Sequence, residues 1–178
     1  MGPHERGRVS EPLRIRRAAP GDADAISRLA RSVAAEPGGW LLTLGTWRSS
    51  SEERRAIRLL RRHPDAAILV AETVEGIVGR LSLTRDHHPS SQHVADIGLM
   101  VAQPYRRRGV GRALLEAAVE WAHLNGVSKL ELHVFPHNEA AIKLYESFGF
   151  ERDGYRKRHY HLGQEYVDAI LMAYFVTG

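Results

Sequence analysis

The sequence predicts a mixed α/β domain with a central, mostly antiparallel sheet of about seven strands flanked by four helices. Two observations carry the prediction. Some runs alternate apolar and polar residues, as half-buried strands do, and others repeat apolar residues every three or four positions, as helices do. The runs follow one another as β-α-α-β-β-β-α-β-α-β-β, with hairpin signals early and late and a strand–helix–strand crossover between them.

LRIRRA, 13–18, alternates and reads as the first strand. In PGDADAISRLARSVAAE, Asp22 is placed to cap a helix whose Ile26, Leu29, Ala30 and Val33 share one face. PGGWLLTLGTWRSSS reads as loop, and Ser49–Ser51 with Glu52 and Glu53 predict a capped second helix through Arg62. AAILVAETV, 66–74, is a strand; Glu75-Gly76 turns the chain and IVGRLSLTR returns antiparallel. DHHPSSQH is a polar loop, and VADIGLMV, 94–101, is a strand. A helix then runs from Gly109 to about Leu124 and ends at Asn125-Gly126 in a left-handed cap. KLELHV, 129–134, is a strand, and NEAAIKLYESF is a helix stopped by Gly149. The remainder reads as two strands around Leu162-Gly163-Gln164.

With 178 residues, 43% hydrophobic and 26% charged, the chain can bury one ordinary core. Residues 1–12 read as a flexible leader and 13–178 as a single domain. No apolar run approaches the ~20 residues of a membrane helix, and the N-terminus lacks the apolar core of a secretion signal. No membrane association and a cytoplasmic location are therefore expected. The absence of cysteine excludes disulfides, thiolate metal sites and cysteine nucleophiles. The net charge of +4 suits an anionic partner, yet only three lysines occur, a skew that genome composition alone can produce. Each basic cluster is therefore weighed separately.

The most informative cluster is Arg106-Arg107-Arg108-Gly109-Val110-Gly111, between a strand and a helix. First-turn amides of a helix lack intrahelical acceptors, and their dipoles favour anions. Glycine lets backbone approach a ligand closely. A strand, a basic glycine-containing loop and a helix together make a diphosphate cradle. GxxxxGK[ST] is absent, and Gly-Val-Gly is too short for GxGxxG, which disfavours P-loop and dinucleotide folds. A Gly-x-Gly alone is equally well a tight turn with close helix packing.

RRRGVG, 106–111, resembles the [Q/R]-x-x-G-x-[G/A] signature of the GNAT superfamily of N-acetyltransferases, and NEAAIKLYESFGF, 138–150, resembles that family's N-x-x-A-x-x-L-Y-x-x-x-G-F segment. The two stand in family order with one strand between them. The resemblance covers roughly 66–176 and implies a GNAT-type fold with acetyl-coenzyme A as co-substrate and no metal. Backbone amides around Arg107, Arg108, Gly109, Val110, Gly111 and Arg112 would hold the pyrophosphate, and Arg106 occupies the signature's first position. Leu99, Met100 and Val101 would hydrogen-bond the pantetheine arm, with Asn138 and Ala141 beside it and an amide near Met100 facing the oxyanion. One departure is Arg107, where many family members have glycine.

In the second segment Ala141, Leu144, Tyr145 and Phe148 share a helix face, which reads equally as core. Asn138 stands at an N-cap position. By resemblance Tyr145 protonates the departing thiolate. The attacking amine must be neutral, and a carboxylate, directly or through water, could take its proton; Asp96, on the strand leading into the phosphate loop, is the first candidate and Glu72 the second. Both are also readable as strand surface residues or ion-pair partners.

The resemblance implies an acceptor pocket bordered by PGGWLLTLGTW and the region Tyr155–Tyr166; Trp40 and Trp47 read as its lining or equally as buried anchors for a loop. His87, His88 and His93 share a loop but lack metal-ligand spacing, so no metal is expected. Basic and aromatic residues interleave over 155–161, a pattern shared by nucleic-acid surfaces and amphipathic hairpins; the hairpin is preferred, and no nucleic-acid partner is expected. The reading is acetyl transfer to the primary amine of a small molecule: an amino acid, a polyamine or an antibiotic-like amine. A protein N-terminus is the alternative acceptor, and a non-catalytic coenzyme A-binding module the alternative role. The resemblance further implies homodimers paired through late strands.

Overall fold

The computed structural model describes residues 12–41 and 47–176. Eleven regular elements follow the expected order: β1 (Arg14–Arg17), α1 (Ala23–Ala34), α2 (Ser50–Arg62), β2 (Ala66–Thr73), β3 (Gly76–Arg85), β4 (Val94–Val101), α3 (Val110–Leu124), β5 (Lys129–Val134), α4 (Glu139–Phe148), β6 (Glu151–Leu162) and β7 (Glu165–Phe175). The sheet order is β1-β2-β3-β4-β5-β7-β6. Among the described strands β4 and β5 form the one parallel pair; the rest run antiparallel.

Helices cover both faces of the sheet. Leu114, Leu115 and Ala118 of α3 and Ile142 of α4 pack on Leu81, Leu83, Leu130 and Leu132. On the opposite face Ile26, Leu29 and Val33 of α1 and Ile57 of α2 pack on Ile68, Val70 and Met100. This two-sided burial explains why β2 reads AAILVA without alternation. Each fully buried Leu or Ile contributes about 1.5–3 kcal/mol from removal of apolar surface.

Local chemistry sets the helix ends. Ser49 caps α2 in a reciprocal box: its Oγ accepts from the Glu52 amide, and the Glu52 carboxylate accepts from the Ser49 amide at 2.8 Å. Asn138 caps α4 by accepting from the Ala141 amide at 3.2 Å. Gly126 and Gly149, at φ 68° and 117°, end α3 and α4 in left-handed conformations.

Two expectations are corrected. Asp22 does not cap α1 with its side chain; a 3-10 turn over Pro20–Asp22 precedes the helix, and the carboxylate accepts instead from the Ala19 amide at 2.7 Å and from Arg16 at 2.7 and 3.0 Å. The loop between α1 and α2 is described as far as Leu41 and again from Trp47; its middle, 42–46, lies outside the described residues. The late hairpin is not a plain alternating ribbon. Arg156 pairs with Ala169 but Tyr160 with Val167, so β6 carries two extra residues between them, and Arg158 takes φ 50°.

Candidate active site

The parallel pairing of β4 and β5 runs from Val94↔Lys129 to Asp96↔Glu131 and stops. Beyond it the strands diverge, leaving the β4 edge from Ile97 onward without a strand partner on that side. A cleft of about 210 Å³ opens there. Ile97, Gly98, Leu99 and Met100 line one wall, and His133, Val134 and Phe135 the other. Asn138, Ala141 and Tyr145 of α4 close one end; Trp40, Leu41, Trp47, Arg80 and Ser82 border the other. Of the residues expected against the pantetheine arm, Leu99, Met100, Asn138, Ala141 and Tyr145 meet in this cleft. Val101 and Val110 are packed in the core below it.

The helix following β4 begins at Gly109, whose φ is 85° and which offers no side chain to its own amides. Val110, Gly111 and Arg112 are therefore left with first-turn N–H groups that have no intrahelical acceptor. Arg107 also adopts a left-handed φ of 59°, the conformation glycine adopts without cost. Arg106 points inward: its Nε donates to the Val101 carbonyl at 2.9 Å, and its two Nη groups bind Glu36 at 2.7 and 2.8 Å. Its side chain thus braces the loop against the residues following α1, with three of its five N–H donors engaged. Arg107 and Arg108 are exposed, with Arg108 over the Tyr105 ring, and Arg112 lies over Phe148.

Tyr145 is buried, and desolvation raises its phenol well above the usual range near 10. It therefore stays protonated at neutral pH. The two carboxylates suggested by the sequence are placed differently from it. Glu72 is not a cleft residue; its carboxylate accepts from Arg16 Nε at 2.9 Å and Nη2 at 3.0 Å, which holds its pKa below the ordinary value. Asp96 lies at the last paired position before the split, beneath the lining residues. Partial desolvation, then Glu131 and Asp86, raise its carboxyl, with Arg156 opposing.

Sequence reasoning missed two ionisable cleft residues. Arg80 of β3 pairs across to Met100 and is 7% exposed. Its guanidinium lies 5.2 Å from the Trp47 ring centre, whose other neighbour is Arg48 at 5.4 Å. The fully buried Glu53 carboxylate is 3.1 Å from Arg48 Nε and 3.8 Å from Arg80 Nε. Burial lowers the Arg80 pKa to about 10, so it is charged at neutral pH. Two guanidiniums thus face one carboxylate. The signal was a lone arginine inside the otherwise apolar IVGRLSL. The second residue is His133, on the strand face that Lys129 and Glu131 also occupy; nothing in KLELHV sets it apart. The histidines of the 86–93 loop form a turn in which His88 accepts from the Ser90 amide. Among the described residues no group of three or more metal-ligating side chains is assembled.

A split sheet beside an uncapped helix, with a buried phenol at the split, defines an acyl-transfer scaffold. A family model described as "Acetyltransferase (GNAT) family" matches residues 37–150. The L-amino acid N-acetyltransferase AaaT of Escherichia coli K12 is 36% identical over 166 residues, 89% of this chain and 95% of that protein. The ribosomal protein bS18-alanine N-acetyltransferase of Salmonella typhimurium is 43% identical over 75 residues, 42% of this chain and 51% of that protein. A GNAT-family acetyltransferase crystal structure from Streptococcus pneumoniae superposes with a TM-score of 0.82 at 28% identity, covering 93% of this chain and all of that one. The chain belongs to the acetyltransferase (GNAT) family and, with it, to the acetyl-coenzyme A-dependent N-acyltransferases. No helix among the described residues is long and apolar enough to cross a membrane.

Proposed function

We propose that this enzyme transfers the acetyl group of acetyl-coenzyme A to the amine of a small acceptor that carries a carboxylate, an α-amino acid being the simplest, by direct attack in a ternary complex. The pyrophosphate lies on the first-turn amides of Val110, Gly111 and Arg112, with Gly109 presenting no Cβ toward it. The pantetheine arm adds along the unpaired β4 edge at Leu99 and Met100, beside Asn138 and Ala141. The amine forms its C–N bond to the acetyl carbonyl carbon, the C–S bond breaks, and the departing thiolate takes the proton of Tyr145, which solvent later restores. Desolvation keeps the phenol protonated and so present for that step, while leaving it a weaker acid than a free phenol.

One observation carries the choice of acceptor: Arg80, charged and almost fully buried, lines the cleft, and the carboxylate nearest it, Glu53, is shared with Arg48. A cationic polyamine would meet repulsion there, whereas a carboxylate supplies the missing counter-charge. The likeness to an L-amino acid N-acetyltransferase over most of both chains supports the same reading. The likeness to a ribosomal-protein acetyltransferase makes a peptide N-terminus the second reading. A thiol-release screen of the twenty L-amino acids, putrescine, spermidine and an alanine-initiated peptide separates them. Turnover with amino acids and none with polyamines is expected; preference for polyamines or the peptide overturns the acceptor assignment.

A further inference from the structure

We infer that His133 is the general base of this enzyme, accepting the acceptor's ammonium proton at Nε2, and that Tyr160 sets the required tautomer; the inference rests on the acetyl-transfer reading above. His133 lines the cleft on the β5 side of the split, opposite the β4 wall. Its Nε2 is buried, and among the described residues nothing donates to it or accepts from it. An imidazole nitrogen removed from water without a partner costs free energy, a cost that a donor reaching it from a bound acceptor would relieve. The other ring nitrogen is engaged: Nδ1 lies 2.8 Å from the Tyr160 hydroxyl. With the proton on Nδ1, donated to the Tyr160 oxygen, Nε2 presents a lone pair.

The β6 bulge makes this contact. Two extra residues between Arg156 and Tyr160 turn His159 and Tyr160 toward β5, where their rings lie 5.0 and 6.0 Å from that of His133. The bulge is itself fixed by Asp168, which accepts from the Arg158 amide and from the Tyr155 hydroxyl, both at 2.6 Å. A solvated hairpin has no need of so specific a distortion. The charged and titratable groups around the ring are Glu131 on its own strand, Arg156, His159 and Tyr160 on β6, and Asp96 across on β4. Burial first, then Arg156 and His159, depress the His133 pKa, while Glu131 opposes them. The ring is consequently neutral at physiological pH and free to receive a proton.

The step balances simply. One proton leaves the acceptor ammonium for Nε2, giving an imidazolium and a neutral amine that attacks the thioester carbonyl. The imidazolium later returns its proton to water, and Tyr145 serves the thiolate separately.

The test uses the full chain with the L-amino acid that the wild-type enzyme acetylates fastest. The wild-type kcat/KM profile should hold a plateau from below pH 6.5 to the amine's own pKa. For His133→Gln we expect a loss of about 100-fold or more at pH 7 and a profile rising with unit slope toward the amine pKa, because only free amine then reacts. Calorimetric acetyl-coenzyme A affinity should match wild type, which shows that the variant is folded. For Tyr160→Phe a roughly tenfold drop in kcat with unchanged KM is expected, together with a mixed His133 tautomer by ¹⁵N NMR. A retained plateau in His133→Gln, disappearance of the acid limb in Asp96→Asn instead, or a wild-type ring protonated on Nε2 overturns the inference. Absence of amino-acid turnover in the wild-type enzyme would strike the parent reading, while the NMR tautomer still judges His133 separately.

Discussion

Gly109 and Gly111 stand two residues apart and are glycine for different reasons. A Cβ at Gly109 would meet nothing within 4 Å, but its φ of 85° strains any L side chain. A Cβ at Gly111 would come within 2.8 Å of Leu144 Cδ2, so that glycine lets α3 approach α4. Gly109→Ala should therefore cost about 1–2 kcal/mol in urea unfolding and weaken acetyl-coenzyme A binding by displacing the first-turn amides. Gly111→Ala should cost less, because the obstructing atom is the end of a movable side chain; equal losses would contradict the distinction. Tyr145→Phe removes one oxygen from a residue that otherwise packs in the core. Turnover should fall by about 10²–10⁴ with acetyl-coenzyme A affinity unchanged, and undiminished turnover would retire Tyr145 as the acid. Both glycines and the tyrosine were legible in the sequence because each sits in a local motif. Arg80 was not, since its significance comes from Glu53, 27 positions earlier on a different element, and from Trp47 stacked over it.

At the scale of elements, α2 links a surface cap to a buried charge. Ser49 caps the helix, and Glu53, in its first turn, holds Arg48 and Arg80. Ser49→Ala should cost about 1 kcal/mol of stability. It should also raise the KM for the amino acid acceptor while leaving that for acetyl-coenzyme A unchanged, because only the acceptor end depends on where Glu53 sits. A parallel rise in both constants in steady-state kinetics would refute that coupling. The cap was legible because Ser-x-x-Glu is a four-residue pattern. Element type and order were likewise set by short-range periodicity, and seven strands and four helices formed where apolar spacing placed them. The β6 bulge was not legible. Arg-Lys-Arg-His reads as part of an ordinary exposed strand, and the two extra residues appear only when pairing with β7 fixes the register through Asp168. Asp22 failed as a predicted cap for a comparable reason: Arg16, brought near by β1, competes for its carboxylate.

For the molecule as a whole, the candidate active site lies where the two cores meet the split in the sheet, and Tyr145 belongs both to the α3–α4 core and to the cleft. That double membership has a consequence for stability at high pH. In the unfolded chain the phenol ionises near pH 10, whereas in the folded chain burial holds it protonated well above that value. The folded state therefore retains a proton that the unfolded state loses. The contribution is fully present below pH 10 and declines as pH rises toward the folded pKa, because ionisation then favours unfolding. Arg80 acts in the opposite sense over an overlapping window: its folded pKa near 10 lies below the ordinary arginine value, so the unfolded state keeps its proton longer. Removing the phenol alone should leave the Arg80 effect exposed. Thermal unfolding between pH 9 and 11.5 should show Tm falling less steeply with pH in Tyr145→Phe than in wild type, with the curves parallel below pH 9. Parallel curves through the whole range would mean that Tyr145 ionises in the folded protein as it does in water, and that burial does not hold its proton.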